Sequence, residues 1–598
     1  MRNMSNTRIF QRILSQRLKQ VLVLALALSM LAGLSVGCKK DDDSSQADSG
    51  NASNQSTEQS SQADSTPDNG EIVTIQFYGG GANPSSTYYE WQQEYFEENL
   101  GLRVETIVSD KEKLQPMLAA GNLPDLGKYA VDGDPTQAIE GGHVMDLTDY
   151  EDQIPNYTEK HPQSVQYSKD YKSAGTGKLY AIITQIGTYN AYPMDVGCYA
   201  ANIRWDIYEK AGKPEVTDMY TFLDALKKMQ EVYPETEDGQ KTYAMGFYPS
   251  WDGTHMSNAG KYLTVMGVSD TVIGYNTYNI AEDKVEPMIE KGSAYYEALK
   301  WMSTANRMGL VDPDSMTQTY EITQAKIVDS GQYLTAMYGN YCSGYNTDEH
   351  MNAETPTGFM PLIWEGQHPV VAGETLIGGS TGDPVFVSST TKELEACLRF
   401  INMMYDEDAM LVMQGGPQGE LWDIVDGKYV LTDAVDEFLA TGSHTFGTGE
   451  SSSDWWARWG LMAATQNSKY NAEFRITDQA AYTEKKIEDN KLVDMYEEYY
   501  GYRRPIQVWT EKDLICYQPE WKKLIETMPS DLQDIQSNVK SIVCEYSWKI
   551  VMTAKDDAEI DSMFDEMKTQ CDALGLQQIV DWGQDQIKTA MENGAKYE

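Results

Sequence analysis

The stretch from Ile72 to Val131 limits the fold more than any other part of the chain. Ile72 to Tyr78, IVTIQFY, puts Val73, Ile75 and Phe77 on one face. That period of two reads as a strand, and it runs into Gly79-Gly80-Gly81. Ser86 to Leu100 has helical spacing at Tyr88, Trp91 and Tyr95 and stops at Gly101. Leu102 to Val108 is a second strand, Lys111 to Ala120 a helix delayed or broken by Pro116, and Leu126 to Val131 a third strand. A β-α-β-α-β run implies a parallel sheet, with ligands bound beyond the carboxyl ends of its strands. The Gly79 to Asn83 turn stands at such an end.

From about Tyr199 longer helices take over. Thr217 to Tyr233 carries Phe222, Leu226 and Met229 on one side, and Ser293 to Arg307 ends at Gly309. A glycine-rich stretch, Gly373 to Gly382, leads into the strand Val385-Phe386-Val387, and a helix follows from Thr391 to Tyr405. The end of the chain, Glu559 to Met591, is helical, and no internal repeat is present.

The N-terminus addresses the protein outward. Arg2, Arg8, Arg12, Arg17 and Lys19 precede an apolar run, Val21 to Gly37, with no acidic residue before it. A basic region, a short apolar region and a small-residue end make a secretory signal; the run is at the short edge for a transmembrane span. Leu34-Ser35-Val36-Gly37-Cys38 resembles a bacterial lipobox, with Ser35 where that motif prefers Leu. The resemblance implies cleavage before Cys38 and its acylation. Residues 39 to about 70 hold Ser, Gln, Asn, Asp and Gly with little to bury, which makes a disordered tether. The expected division is therefore 1–37 signal peptide, 38–70 lipidated cysteine and tether, and 71–598 folded body.

Composition excludes several functions. Lys plus Arg number 47 against 91 Asp plus Glu, a net charge of −44, which repels phosphate backbones and argues against nucleic acid. Seven Cys in 598 residues, with no CxxC pair, exclude a disulfide scaffold; isolated thiols are expected, although a pair is possible outside the cell. Gly378-Gly379-Ser380-Thr381-Gly382 matches G-x-S-x-G, but a strand-like Val385-Phe386-Val387 follows it where a nucleophile elbow needs a helix. No two His stand three to five residues apart, so no helical zinc pair exists, and no metal or other cofactor is expected.

Aromatic residues say more. The chain has 13 Trp and 39 Tyr against 12 Phe. Trp and Tyr can cover the apolar face of a sugar ring while carboxylates, amides and Arg bond its hydroxyl rim. Trp251-Asp252-Gly253 and Trp364-Glu365-Gly366 each place a ring and a carboxylate beside Gly, and Glu420 and Trp422 follow a Gly-Pro turn. Trp455 and Trp459, with Arg458 between them, share one helical face of the densest cluster, Asp454 to Gly460. With Tyr78, Asn83, Lys128 and Tyr189 these are the ligand residues expected.

Several segments together resemble the family 1 extracellular solute-binding proteins, the capture lipoproteins of carbohydrate ABC importers. They are Gly121-Asn122-Leu123-Pro124-Asp125, Gly142 to Tyr150 (GHVMDLTDY), Gly177 to Ile182 (GKLYAI), Ala201 to Trp205 with Glu209 to Gly212, Leu398 to Asp408, and Gly416 to Trp422 (GPQGELW). Asp557 to Ile587 is similar to the closing helix of the long, LplA-like branch. Some members of that branch carry an EF-hand-like calcium loop; here Tyr233 to Gly239 lacks its D-x-[DN]-x-[DN]-G rhythm, so no calcium is expected.

The resemblance implies an α/β, bilobal, periplasmic-binding-protein-like (type II) fold with a hinge and an interlobe cleft. The first lobe would take roughly 71–186 plus 376–416 and the second roughly 187–375 plus 417–598. It further implies a monomer, anchored outside the cell membrane, that captures a neutral oligosaccharide and delivers it to permease subunits without catalysis. The alternatives are the same fold binding a peptide or another non-sugar solute, and a secreted enzyme acting on polysaccharide. The anchor makes one prediction. Cys38→Ser should move the protein from the membrane fraction to the medium or leave it unprocessed; unchanged processing and detergent partitioning would contradict acylation at Cys38.

Overall fold

The computed structural model describes residues 72–80, 88–108, 110–130, 134–184, 186–187, 199–371, 376–378, 384–453 and 466–597. It opens with β1 (Val73–Gly80), α1 (Glu90–Leu100), β2 (Leu102–Val108), α2 (Lys111–Ala120) and β3 (Leu126–Gly127). Gly101 and Gly121 close the two helices at φ 65° and 62°, a left-handed conformation that glycine adopts without a side-chain clash. Pro116 lies inside α2 without breaking it. The third strand is shorter than its sequence suggested. After Lys128 donates its backbone N–H to Tyr78 O at 2.8 Å, the Tyr129 hydroxyl turns back to Pro124 O at 2.6 Å.

The chain continues through β4 (Tyr199–Arg204), α3 (Met219–Val232), α4 (Ser257–Val265), α5 (Ala294–Arg307), α6 (Tyr320–Val328), β5 (Thr335–Tyr338), β6 (Phe359–Pro361), β7 (Phe386–Val387) and α7 (Leu394–Met403). Asp218 caps α3 by accepting from Tyr220 N and Thr221 N, and Ser293 caps α5 by accepting from Tyr296 N. Each such cap is worth about 1 kcal/mol. The last helix, α8, is Leu576–Gly594.

Two sheets organise these elements. In the first, β1 pairs in parallel with β2 and β3, as the β-α-β alternation requires, and β7 joins antiparallel to β3. In the second, β4 is central and runs antiparallel to both β5 and β6.

The buried apolar residues form two large clusters. The first gathers Ile75, Phe77, Leu102 and Leu126 with Phe386, Leu398 and Phe400; the second gathers Ile203, Trp205, Phe222, Trp301 and Trp509 with Val543 and Phe564. Leu421, Trp422, Phe438, Phe446 and Ile476 belong to the first cluster. The division read from the sequence put everything after residue 416 in the second lobe. Among the described residues, Leu421 to Phe446 and Ile476 cluster instead with the first core, Leu492 to Leu514 with the second, and Leu524 again with the first. Helix α8 begins in the second core at Leu576 and Ile579 and reaches the first at Ala590.

Cys342, Cys397, Cys516, Cys544 and Cys571 are free thiols, and Cys198 lies outside the described residues. The turn after α3 is closed by its own side chains. Thr236 N donates to Gln240 O at 2.8 Å, Gln240 N to Thr236 Oγ1 at 3.1 Å, and Gln240 Nε2 to Asp238 Oδ2 at 2.8 Å. The Asp238 carboxylate is thus engaged by neighbours that a calcium ion would have to displace. Chelator should therefore leave the melting temperature within about 2 °C. A fall of about ten degrees, restored by calcium, would contradict this.

Candidate functional site

Strand directions bring the relevant ends together. In β3–β7, Phe386 faces Gly127 and Val387 faces Leu126, so Val385 lies beyond the carboxyl end of β3. Val385 exchanges backbone hydrogen bonds with Ile182 at 2.8 and 2.9 Å. The segment leaving the first core and the one returning to it are therefore paired at the carboxyl edge of the parallel sheet. Tyr78 and Lys128 stand at this edge. Gly127 is required there, because a Cβ would come within 2.7 Å of the Tyr129 ring and of Tyr78 O.

On the second sheet, β4 starts where the chain arrives, and β5 and β6 run the opposite way, so Tyr199 meets Tyr338, the last residue of β5. Tyr243 bridges Tyr333 in parallel, and the ring centres of Tyr248 and Tyr338 lie 4.3 and 5.6 Å from Lys261 Nζ. Tyr320, the first residue of α6, is tied to the same place by its N–H donating to Ser250 Oγ at 3.1 Å.

The result is a cluster of rings. Trp251 stacks on Tyr320 with centroids 4.3 Å apart and planes 18° from parallel. Tyr248 and Tyr338 meet Trp251 edge-on at 5.4 and 5.7 Å, and Tyr199 stacks on Tyr338 at 5.6 Å. Trp251 is nevertheless 44% exposed, and Tyr199, Tyr320 and Tyr338 are half-buried. Stacked aromatic rings left open to water offer a planar apolar face to a ligand.

One cation sits among them. Lys261 of α4 is buried, donates from Nζ to the Tyr248 hydroxyl, and places Nζ 4.3, 5.4 and 5.6 Å from the ring centres of Tyr248, Trp251 and Tyr338. Burial lowers its pKa to about 7, against the pull of the Asp252 carboxylate, which raises it. Asp252 itself is occupied: Trp548 Nε1 donates to it at 2.6 Å and Ser257 N at 2.9 Å. Burial raises its pKa despite those bonds.

The expected ligand residues divide sharply. Trp251 is in the ring cluster, and Asp252 turns away from it to fasten α4. Tyr78 is core; its hydroxyl donates to Asp110 O and accepts from Asp110 N, each at 2.7 Å. Lys128 is half-buried at the carboxyl edge. Trp364 and Trp422, expected at the ligand, are packing residues. Trp364 is 4% exposed and lies 5.6 Å from Phe222, while Trp422 stacks on Tyr429 at 5.3 Å and donates Nε1 to Gly416 O. Glu420 spends both carboxylate oxygens inside the fold, one on His444 Nε2 at 2.7 Å and one on Gly447 N at 3.0 Å. Cys38, Asn83, Tyr189, Trp455, Arg458 and Trp459 lie outside the described residues. Tyr199, Tyr248, Tyr320, Tyr338 and Lys261 escaped the sequence reading because they come from distant segments and share no local motif.

Among the described residues no three His, Cys, Asp or Glu side chains group as a metal site requires, and no helix is long and apolar enough to cross a membrane. A family model described as bacterial extracellular solute-binding protein matches residues 79–411, more than half of the chain. No curated protein matches the sequence. An HMO-binding, ABC-transporter-associated solute-binding protein from Bifidobacterium longum infantis superposes with a TM-score of 0.56 at 16% identity, covering 87% of this chain and 99% of its own. FusA of S. pneumoniae, an ABC-transporter substrate-binding protein in complex with kestose, gives a TM-score of 0.57 at 16% identity, covering 87% and 100%. The two-sheet architecture is thus the periplasmic-binding-protein-like type II fold, and these relatives are described as solute- or substrate-binding proteins. With its parallel first sheet, its paired connecting segments and more than half of its length matched, the chain belongs to the bacterial extracellular solute-binding proteins.

Proposed function

We propose that the protein captures a neutral oligosaccharide between two lobes built on the two cores and hands it to an ABC permease. In this reading the first lobe takes residues to 186 and from 376 to about 476, and the second takes 187–375 and most of the remainder. The observation that carries it is the open Trp251–Tyr320 stack, placed where the strands of the second sheet end and the chain arrives from the first. A sugar ring covers such a face with its C–H groups. Lys128, at the carboxyl edge of the first sheet, would complete the opposite wall. Closure about the connecting segments stabilises the bound form because only then do both edges touch the ligand. Support for a sugar also comes from the names of the relatives, one binding HMO and one solved with kestose. The net charge of −44 favours an uncharged ligand. Acylation at Cys38 would hold the protein at the outer face of the membrane, and a monomer suffices.

Calorimetry against a panel of neutral oligosaccharides, with peptides as the rival class, tests this. Affinity for a neutral sugar should change little between low and high salt, since the ligand offers no charge to screen. Trp251→Ala should weaken binding by about 1–3 kcal/mol, roughly 5- to 150-fold, while unfolding in denaturant shifts by less than about 1 kcal/mol. Trp364→Ala should do the reverse, costing about 3–5 kcal/mol of stability. Binding of peptides alone, or equal loss of stability in both variants, would sink the reading.

A further inference from the structure

Below the ring cluster the fold leaves a cavity of about 40 Å³ that shares Tyr248, Lys261, Tyr338 and Tyr341 with it. At roughly 10–15 Å³ per water-sized group, it has room for about three heavy atoms. Gly246, Met337 and Tyr338 are its half-exposed lining residues, and the others are buried.

The lining is of two kinds. Phe247, Ile327 and Ala336 make an apolar wall. Opposite in character are groups that can donate a hydrogen bond: the buried Tyr341 hydroxyl, Thr323 and Lys261. Thr323 Oγ1, in a residue 1% exposed, has no partner in the protein. Lys261 Nζ donates to Tyr248, and an ammonium group carries three N–H bonds. No carboxylate lines the cavity, although the chain has 91. The nearby acids are committed elsewhere: Asp252 to Trp548 and Ser257, and Asp312 to Lys326 and Tyr333. An occupant must therefore present an acceptor to the donors and an apolar end to the wall, in about three heavy atoms. A hydroxymethyl group lacks the apolar end. A carboxylate would set a second charged oxygen against the apolar wall, at a cost of several kcal/mol if unpaired. The carbonyl and methyl of an acetamido group satisfy all three requirements.

We propose that this cavity selects a ligand unit bearing an N-acetyl group, its carbonyl oxygen taking the donors of Lys261 and Thr323 and its methyl resting on Phe247, Ile327 and Ala336. The inference rests on the reading that the rings above it bind a sugar, and it makes an amino sugar the preferred unit there.

The test uses the full chain and matched pairs, chitotriose against cellotriose and N-acetylglucosamine against glucose, which differ at the acetamido position. The acetamido member should bind at least about tenfold tighter, and saturation-transfer NMR should show its methyl as the most strongly contacted group. Ala336→Leu, which fills the cavity away from the Trp251–Tyr320 stack, should abolish the preference and leave cellotriose binding in place. Thr323→Val, which keeps the side-chain shape and removes the donor, should reduce the preference if the leucine variant fails to fold. Equal affinity within each pair overturns the acetamido pocket and leaves sugar binding intact, as does a preference that survives both substitutions. Absence of binding by every sugar overturns both the pocket and the carbohydrate reading, and binding of N-acetyllysine without any sugar overturns the amino-sugar unit and the carbohydrate reading.

Discussion

Strand β4 is paired antiparallel on both sides, and that pairing decides where the candidate site lies. Antiparallel neighbours end where the central strand begins. Tyr338 therefore arrives beside Tyr199, and the segment running alongside β5 brings Tyr248 and then Trp251 to the same edge. The far end of β4 is held by a buried ion pair. Arg204 donates from Nε and Nη2 to the two Asp206 oxygens, each at 2.9 Å, with its guanidinium 4.7 Å from the Tyr345 ring centre. Burial works against the Arg204 charge, and the Asp206 carboxylate more than offsets it, so the arginine keeps its proton. Losing one partner of such a pair costs about 3–5 kcal/mol, because the other charge stays buried. The strand that delivers the site is thus clamped at the end away from it.

The aromatic residues do two different jobs with the same side chain. Trp205, Trp301 and Trp509 are fully buried, and Trp301 satisfies its N–H on Met219 O at 2.7 Å. These rings contribute area to the second core. Trp251 is stacked yet open, held from one side by Tyr320 and edge-on by Tyr248 and Tyr338. Ring pairs of this kind add about 0.5–1.5 kcal/mol beyond area burial, enough to fix orientation without covering the face. A binding surface fixed before the ligand arrives loses less entropy on binding.

Charge is distributed to suit this. The chain carries a net charge of −44, whereas Lys261 is ringed by aromatic faces with no carboxylate in direct contact. Burial lowers its pKa to about 7, because the charged form loses its water, and the Asp252 carboxylate pulls the other way.

Much of the architecture was legible in the residues. The period of two in β1 and the glycine stop after α1 are local effects, decided within a few residues, and each appears where the pattern places it. The parallel first sheet follows from the alternation, because a helix between two strands returns the chain to the same end. Other features depended on tertiary structure. Trp364 and Trp422 looked as open as Trp251 in sequence, each near a glycine in a loop-like stretch, yet Phe222 covers one and Tyr429 the other. Leu421, Trp422, Phe438 and Phe446 joined the first core, where Phe446 packs on Trp91, which no period reports. The ring cluster draws on residues 199, 248, 251, 320 and 338, and the cavity beneath it exists only once β5, α4 and α6 are packed. Local pattern determines which face of an element is apolar; which partner covers that face, and which ring is left uncovered, is settled by strand direction and packing between segments far apart in the chain.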